Sequence, residues 1–109
     1  MNFQEYQIEA RKTAQYPTLG HAIVYPALGL AGESGEVAEK VKKAMRDDCQ
    51  IITDERKQEL IKEVGDCLWY LSAVCDELNT TLEWVAFTNI EKLKSRLDRN
   101  KINGSGDNR

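Results

Sequence analysis

The chain has 109 residues with 15 Lys+Arg against 18 Asp+Glu, a net charge of −3 and a pI near 5.2. That length makes one domain with a modest core, and that charge removes any general attraction to nucleic acid or an anionic membrane. No apolar run approaches the roughly 18 residues of a membrane span, and Met1-Asn2-Phe3-Gln4-Glu5 lacks the basic-then-apolar start of a secretory signal.

The pattern is helical nearly throughout. A first helix is predicted over 3–15, with Asn2 as N-cap and Glu5 completing a capping box. Tyr16-Pro17 stops it, because the residue before a proline is pushed out of the helical region. A loop with Gly20 and His21 leads to Tyr25-Pro26, and Pro26 suits the first turn of a second helix running to about Arg46. Residues 47–53 form a short connection. Thr53 with Asp54 and Glu55 starts a third helix that reaches about Leu78. Thr80-x-x-Glu83 reads as a second capping box, opening a fourth helix that ends between Leu97 and Asn100. Residues 104–109, Gly-Ser-Gly-Asp-Asn-Arg, are a polar tail separate from the helical domain of 1–103. Short links and one-sided apolar stripes predict an all-α fold, a compact four-helix bundle.

The three cysteines support no zinc spacing. Cys67 and Cys75 share a helical stripe about 12 Å apart, too far for a disulfide, so reduced thiols in a cytoplasmic protein are expected.

The chemistry lies in a repeat. Leu30-Ala31-Gly32-Glu33-Ser34-Gly35-Glu36-Val37-Ala38 aligns with Leu60-Ile61-Lys62-Glu63-Val64-Gly65-Asp66-Cys67-Leu68, each placing two acids three residues apart. Number alone proves nothing. With this many acids, chance gives roughly three such pairs, and three occur: Glu33/Glu36, Glu36/Glu39 and Glu63/Asp66. Position is more informative. Glu33 and Glu63 each lie roughly 90° from the centre of their helix's apolar stripe, with Glu36 and Asp66 about 60° further in the same direction. Two helices packed antiparallel through those stripes bring both flanks to one side, and a short connection favours that packing. Glu33, Glu36, Glu63 and Asp66 then form an all-oxygen site for a hard cation on the central helix pair.

The fourth helix adds a basic edge. Its stripe is Leu82, Val85, Ala86, Ile90, Leu93 and Leu97, with Asn89 inside it and Lys92 and Arg96 alongside. Amide, ammonium and guanidinium suit an anion, and acids with bases together suit a phosphate ester.

These residues resemble the MazG-like nucleoside triphosphate pyrophosphohydrolases of the all-α NTP pyrophosphatase superfamily. The likeness rests on Glu33-x-x-Glu36 and Glu63-x-x-Asp66, on Gly29 to Lys43, on Gly65-Asp66-Cys67-Leu68-Trp69-Tyr70-Leu71, on Asn89-Ile90-Glu91-Lys92-Leu93 and on the tail. It is strongest to the short, stand-alone branch. The resemblance implies a homodimer or dimer of dimers that uses Mg²⁺, with Mn²⁺ as a substitute, to cleave a nucleoside triphosphate between its α and β phosphates. It implies Glu33, Glu36, Glu63 and Asp66 as metal ligands and Asn89, Lys92 and Arg96 as triphosphate contacts. Tyr70, one turn past Asp66, becomes a nucleotide contact, and the tail a phosphate lid with Arg109 as its clamp. His21, in the loop before the site, is a further candidate contact with base or phosphate.

One departure matters. Many relatives carry another acid directly before the first Glu of a pair, where this chain has Gly32 and Lys62. Activation of water then falls to the metal or to Glu36 as general base. Trp69 lies opposite its stripe, which points to another subunit or to a stacked base. The competing reading is a non-catalytic helical interaction module with ordinary surface acids. Stabilisation by Mg²⁺ with nucleotide separates the two, since only a ligand of the folded state raises the melting temperature.

Overall fold

A computed structural model describes residues 1–109. It contains four helices and no strands: α1 (Phe3–Lys12), α2 (Val24–Asp47), α3 (Asp54–Glu77) and α4 (Leu82–Asp98). The caps explain the boundaries. Asn2 accepts from the Glu5 amide at 2.8 Å, and Thr53 accepts from the Arg56 amide at 3.2 Å. Two boundaries differ from expectation. α1 stops at Lys12 because Thr13 caps it, turning its hydroxyl back to the Ala10 carbonyl at 2.7 Å. The cap of α4 is Thr81, which accepts from the Trp84 amide at 3.0 Å, and not Thr80. The reason is Asn79, whose positive φ of 55° closes α3 with a bond from the Thr80 amide to the Cys75 carbonyl, so Thr80 belongs to the preceding turn.

α2 and α3 are the spine, and they run antiparallel. Ser34 faces Cys67, Lys40 reaches Glu59 at 4.0 Å, and Arg56 clamps Asp48 at 2.8 Å. α1 packs on α3 and α4 without touching α2, and α4 does not touch α2 either. Gln7 holds this second layer. Its amide donates to Asp76 at 2.8 Å and to the Thr80 carbonyl at 3.1 Å, while its oxygen accepts from the Leu82 amide at 2.9 Å. All of its bonding groups are used, which is how a polar side chain is tolerated in the interior. Beside it, Tyr16 donates to Glu77 at 2.5 Å and Arg11 pairs with the same carboxylate at 3.2 Å.

A single chain is therefore not the compact closed bundle that the stripes predict. Its radius of gyration is 16.8 Å, where about 13 Å is usual for this length. Only 8 residues are buried, while Ile61 (54 %), Val64 (56 %) and Leu97 (68 %) stand open. Along α2 and α3, the residues that meet the other helix form one face. Val41 and Met45 of α2 and Ile61, Val64 and Leu71 of α3 fall on the side away from Glu36 and Asp66. The pair thus has an acidic side and an uncovered apolar side. No helix is long and apolar enough to cross a membrane.

Candidate metal and nucleotide site

Carboxylate oxygens of Glu33, Glu63 and Asp66 all lie within 4.8 Å of one another. The two halves of the repeat do meet across the antiparallel pair. Glu36, one turn past Glu33, is exposed and lies outside this tight cluster. Glu39, the third member of the chance pairs, turns away to Lys42 at 2.9 Å and Lys43 at 3.8 Å. The Glu33 carboxyl is held above its ordinary value, first by burial and then by the negative charges of Asp66, Glu63 and Glu36 and a hydrogen bond with Glu63. Repulsion among clustered anions is what a cation would relieve. An all-carboxylate donor set with converging oxygens suits a hard divalent cation rather than a soft metal.

The acids border a pocket of about 340 Å³ lined by Thr13, Glu33, Asp66, Trp69 and Tyr70. Tyr70 reaches it because Gly29 leaves room: a Cβ at that position would collide with the Tyr70 ring. Burial, Tyr25 and the nearby carboxylates raise the Tyr70 phenol. Trp69 packs within its own chain, which the opposite-face position did not foretell. Its indole donates to Thr13 at 2.8 Å and stands edge-on to Tyr16 at 6.3 Å and to Tyr70 at 5.1 Å. Tyr25 stacks on Tyr16 at 5.7 Å. This aromatic wall, with Thr13, was missed as a unit in the sequence. Its signal was four aromatic residues flanking the acids, at 16, 25, 69 and 70.

The other expected contacts lie elsewhere. Asn89 and Lys92 line a separate pocket with Val85 and Thr88. Arg96 is only 5 % exposed, and its guanidinium donates to the Asp107 carbonyl. Arg109 donates to the carbonyls of Lys101 (3.1 Å), Gly106 (2.5 Å) and Ile102 (2.9 Å), folding the tail against the end of α4. His21 accepts from the Ile23 amide at 3.2 Å in the turn before α2. A larger groove of about 520 Å³ runs between α1 and the α3–α4 turn, but it holds the Gln7 network and no acid cluster.

Residues 26–99 match the family model described as the MazG nucleotide pyrophosphohydrolase domain. The chain belongs to this family. It is also 44 % identical to the Gene 37 protein of Mycobacterium phage L5, over the full length of both. No solved structure matches it significantly. The matched region of this MazG-family chain contains the four repeat acids, Tyr70, Asn89 and Lys92.

Proposed function

We propose that this MazG-family protein hydrolyses nucleoside triphosphates, ribo or deoxy, at the α–β bond, yielding a nucleoside monophosphate and pyrophosphate. One observation carries the reading: Glu33, Glu63 and Asp66 converge inside the region that defines the family. These three would hold Mg²⁺, or Mn²⁺ in its place. The bound cation would supply charge neutralisation at the phosphates and acidify the attacking water. Glu36, one turn past Glu33 on α2, would accept the proton from that water. Tyr70 and Trp69 would bound the nucleotide, with the tilted Tyr25–Tyr70 pair as an aromatic surface for the base.

The α-phosphorus is the favoured target because no Gly-rich Walker loop cradles the terminal phosphates for γ-transfer. Pyrophosphate is instead the leaving group, and basic side chains stabilise its charge. The exposed apolar side of α2–α3 favours a homodimer or a dimer of dimers. The free thiols of Cys49, Cys67 and Cys75 suit the cytoplasm. Hydrolysis with Mg²⁺ in ¹⁸O-labelled water is expected to place the label in the monophosphate. Label in orthophosphate, with a nucleoside diphosphate as co-product, overturns the assignment.

A further inference from the structure

Four rings beside the acid pocket touch in a closed cycle. Tyr16 stacks on Tyr25 at 5.7 Å, and Tyr25 tilts against Tyr70 at 6.5 Å. Tyr70 meets Trp69 edge-on at 5.1 Å, and Trp69 meets Tyr16 edge-on at 6.3 Å. Helices fix three of the four: Trp69 and Tyr70 stand on α3, and Tyr25 on the first turn of α2. Tyr16 differs. It lies in the loop between α1 and α2, where residues 15–20 make no main-chain hydrogen bond. A ring on such a segment keeps one position only when another bond offsets the entropy of holding it there.

That bond comes from a carboxylate. The Tyr16 phenol donates to Glu77 at 2.5 Å, and Arg11 donates to the phenol oxygen at 3.0 Å and to Glu77 at 3.2 Å. A hydroxyl bound to a carboxylate at this distance makes a strong, charge-assisted bond. Glu77 is the last residue of α3, and its side chain is only 15 % exposed. Neither Glu77 nor Arg11 lines the acid pocket, so direct contact with a nucleotide does not account for the arrangement. Fastening α1 to α3 does not account for it either, because Gln7 already bonds to Asp76, the residue before Glu77. What the Tyr16 bond adds is the loop.

We propose that Glu77 is a positioning residue for the nucleotide base. Through the Tyr16 phenol it fixes the loop member of the aromatic cycle, and so the surface on which a base stacks beside the acids. The inference rests on the hydrolase reading above, and its test separates the two. Tyr16→Phe keeps the ring and removes its hydroxyl, Glu77→Ala removes the acceptor, and Glu77→Gln keeps an uncharged one. With Mg²⁺, KM for a nucleoside triphosphate is expected to rise about 3- to 10-fold in Tyr16→Phe and in Glu77→Ala, the size of one lost aromatic contact. Turnover at saturation stays within about two-fold of wild type, and Glu77→Gln recovers part of the loss. The double variant is no worse than either single one, since both remove the same bond. Tyr16→Phe decides alone if Glu77→Ala does not fold. Calorimetry adds a readout independent of turnover. Binding of a non-hydrolysable α,β-methylene nucleoside triphosphate with Mg²⁺ weakens by the same factor, whereas tripolyphosphate with Mg²⁺, which has no base, binds all the proteins alike. Weaker binding of the analogue by the variants, in a protein whose wild type turns nothing over, refutes the hydrolase reading and keeps the positioning role. Unchanged KM and analogue binding in Tyr16→Phe overturn the proposal, as does an equal loss of tripolyphosphate binding, which marks general damage to the fold.

Discussion

The acid side of the α2–α3 pair and the basic edge of α4 are built to opposite rules. The acids are like charges held together, and the bases, which would attract them, are held apart. Two long helices joined by a short loop fix the first arrangement, and they hold Glu33 where burial first and repulsion second raise its carboxyl. The second follows from where α4 is attached. It is tied at its start by Gln7 and at its end by its own tail, while Ile90, Leu93 and Leu97 between them stay uncovered. The acid side carries crowded charge that a cation would relieve. The middle of α4 carries apolar surface open to solvent.

The strongest way to break that contrast is to remove the crowded charge. Asp66→Asn and Glu36→Gln are each expected to lower kcat/KM with Mg²⁺ by at least about 100-fold, since even groups that only orient metal ligands cost 10–100-fold. The metal-free melting temperature should stay level or rise, because repulsion falls. Steady-state kinetics and thermal melting decide this together. Unchanged activity at ordinary Mg²⁺ removes these residues from the site.

Local chemistry explains how much of this was legible beforehand. The caps at Asn2 and Thr53, and the convergence of Glu33, Glu63 and Asp66, follow from helical periodicity and one short loop, which are local properties. Periodicity also marked Val85, Ile90, Leu93 and Leu97 as a stripe to be covered, but a stripe does not say whose surface covers it. The closed bundle was expected for that reason and is absent from the single chain. Trp69 is similar: periodicity places it opposite the α2-facing stripe, and α1 with the loop after it packs on that face through Thr13 and Tyr16, leaving the indole at the edge of the acid pocket. Arg96 and Arg109 are expected at the phosphates, and in the single chain their guanidiniums donate to the carbonyls of Asp107 and of Lys101, Ile102 and Gly106, main-chain partners that side-chain patterns do not encode.

A subtler change sharpens the acid side without touching its charge. In Gly29→Ala the new methyl group meets the Tyr70 ring, which must swing out of its place beside Glu33 and Asp66. Overpacking of this kind costs about 1–3 kcal/mol, against a gain of up to about 1 kcal/mol from replacing a helical glycine. A net loss of stability by urea unfolding is expected, with KM for nucleotide rising more than kcat falls. Tyr70→Phe, which keeps the ring, should unfold like wild type. A Gly29→Ala protein with wild-type stability and KM shows that Tyr70 is not held by that contact.

The smallest expected effect is on stability against pH, where two carboxyls act in opposite directions. Glu77 is held below its ordinary value of 4.5 by its hydrogen bond from Tyr16 and by Arg11. Its contribution is present above 4.5 and is lost as pH falls through the lowered value. Glu33 is raised above 4.5, so its neutral form suits the fold. Stability is full below 4.5 in that respect and is lost as pH rises through the raised value. The metal-free melting temperature should therefore climb as pH approaches 4.5 and fall again beyond it. Other paired acids, such as Glu39 and Asp47, add to the acid limb but are exposed and screened. Glu77→Gln should flatten the acid limb alone. Glu33→Gln should flatten the fall above 4.5, and so should Mg²⁺ in the wild type, since a cation between the carboxylates removes the reason for Glu33 to keep its proton. If Glu33→Gln leaves that fall unchanged, the crowding at the site is not what sets it.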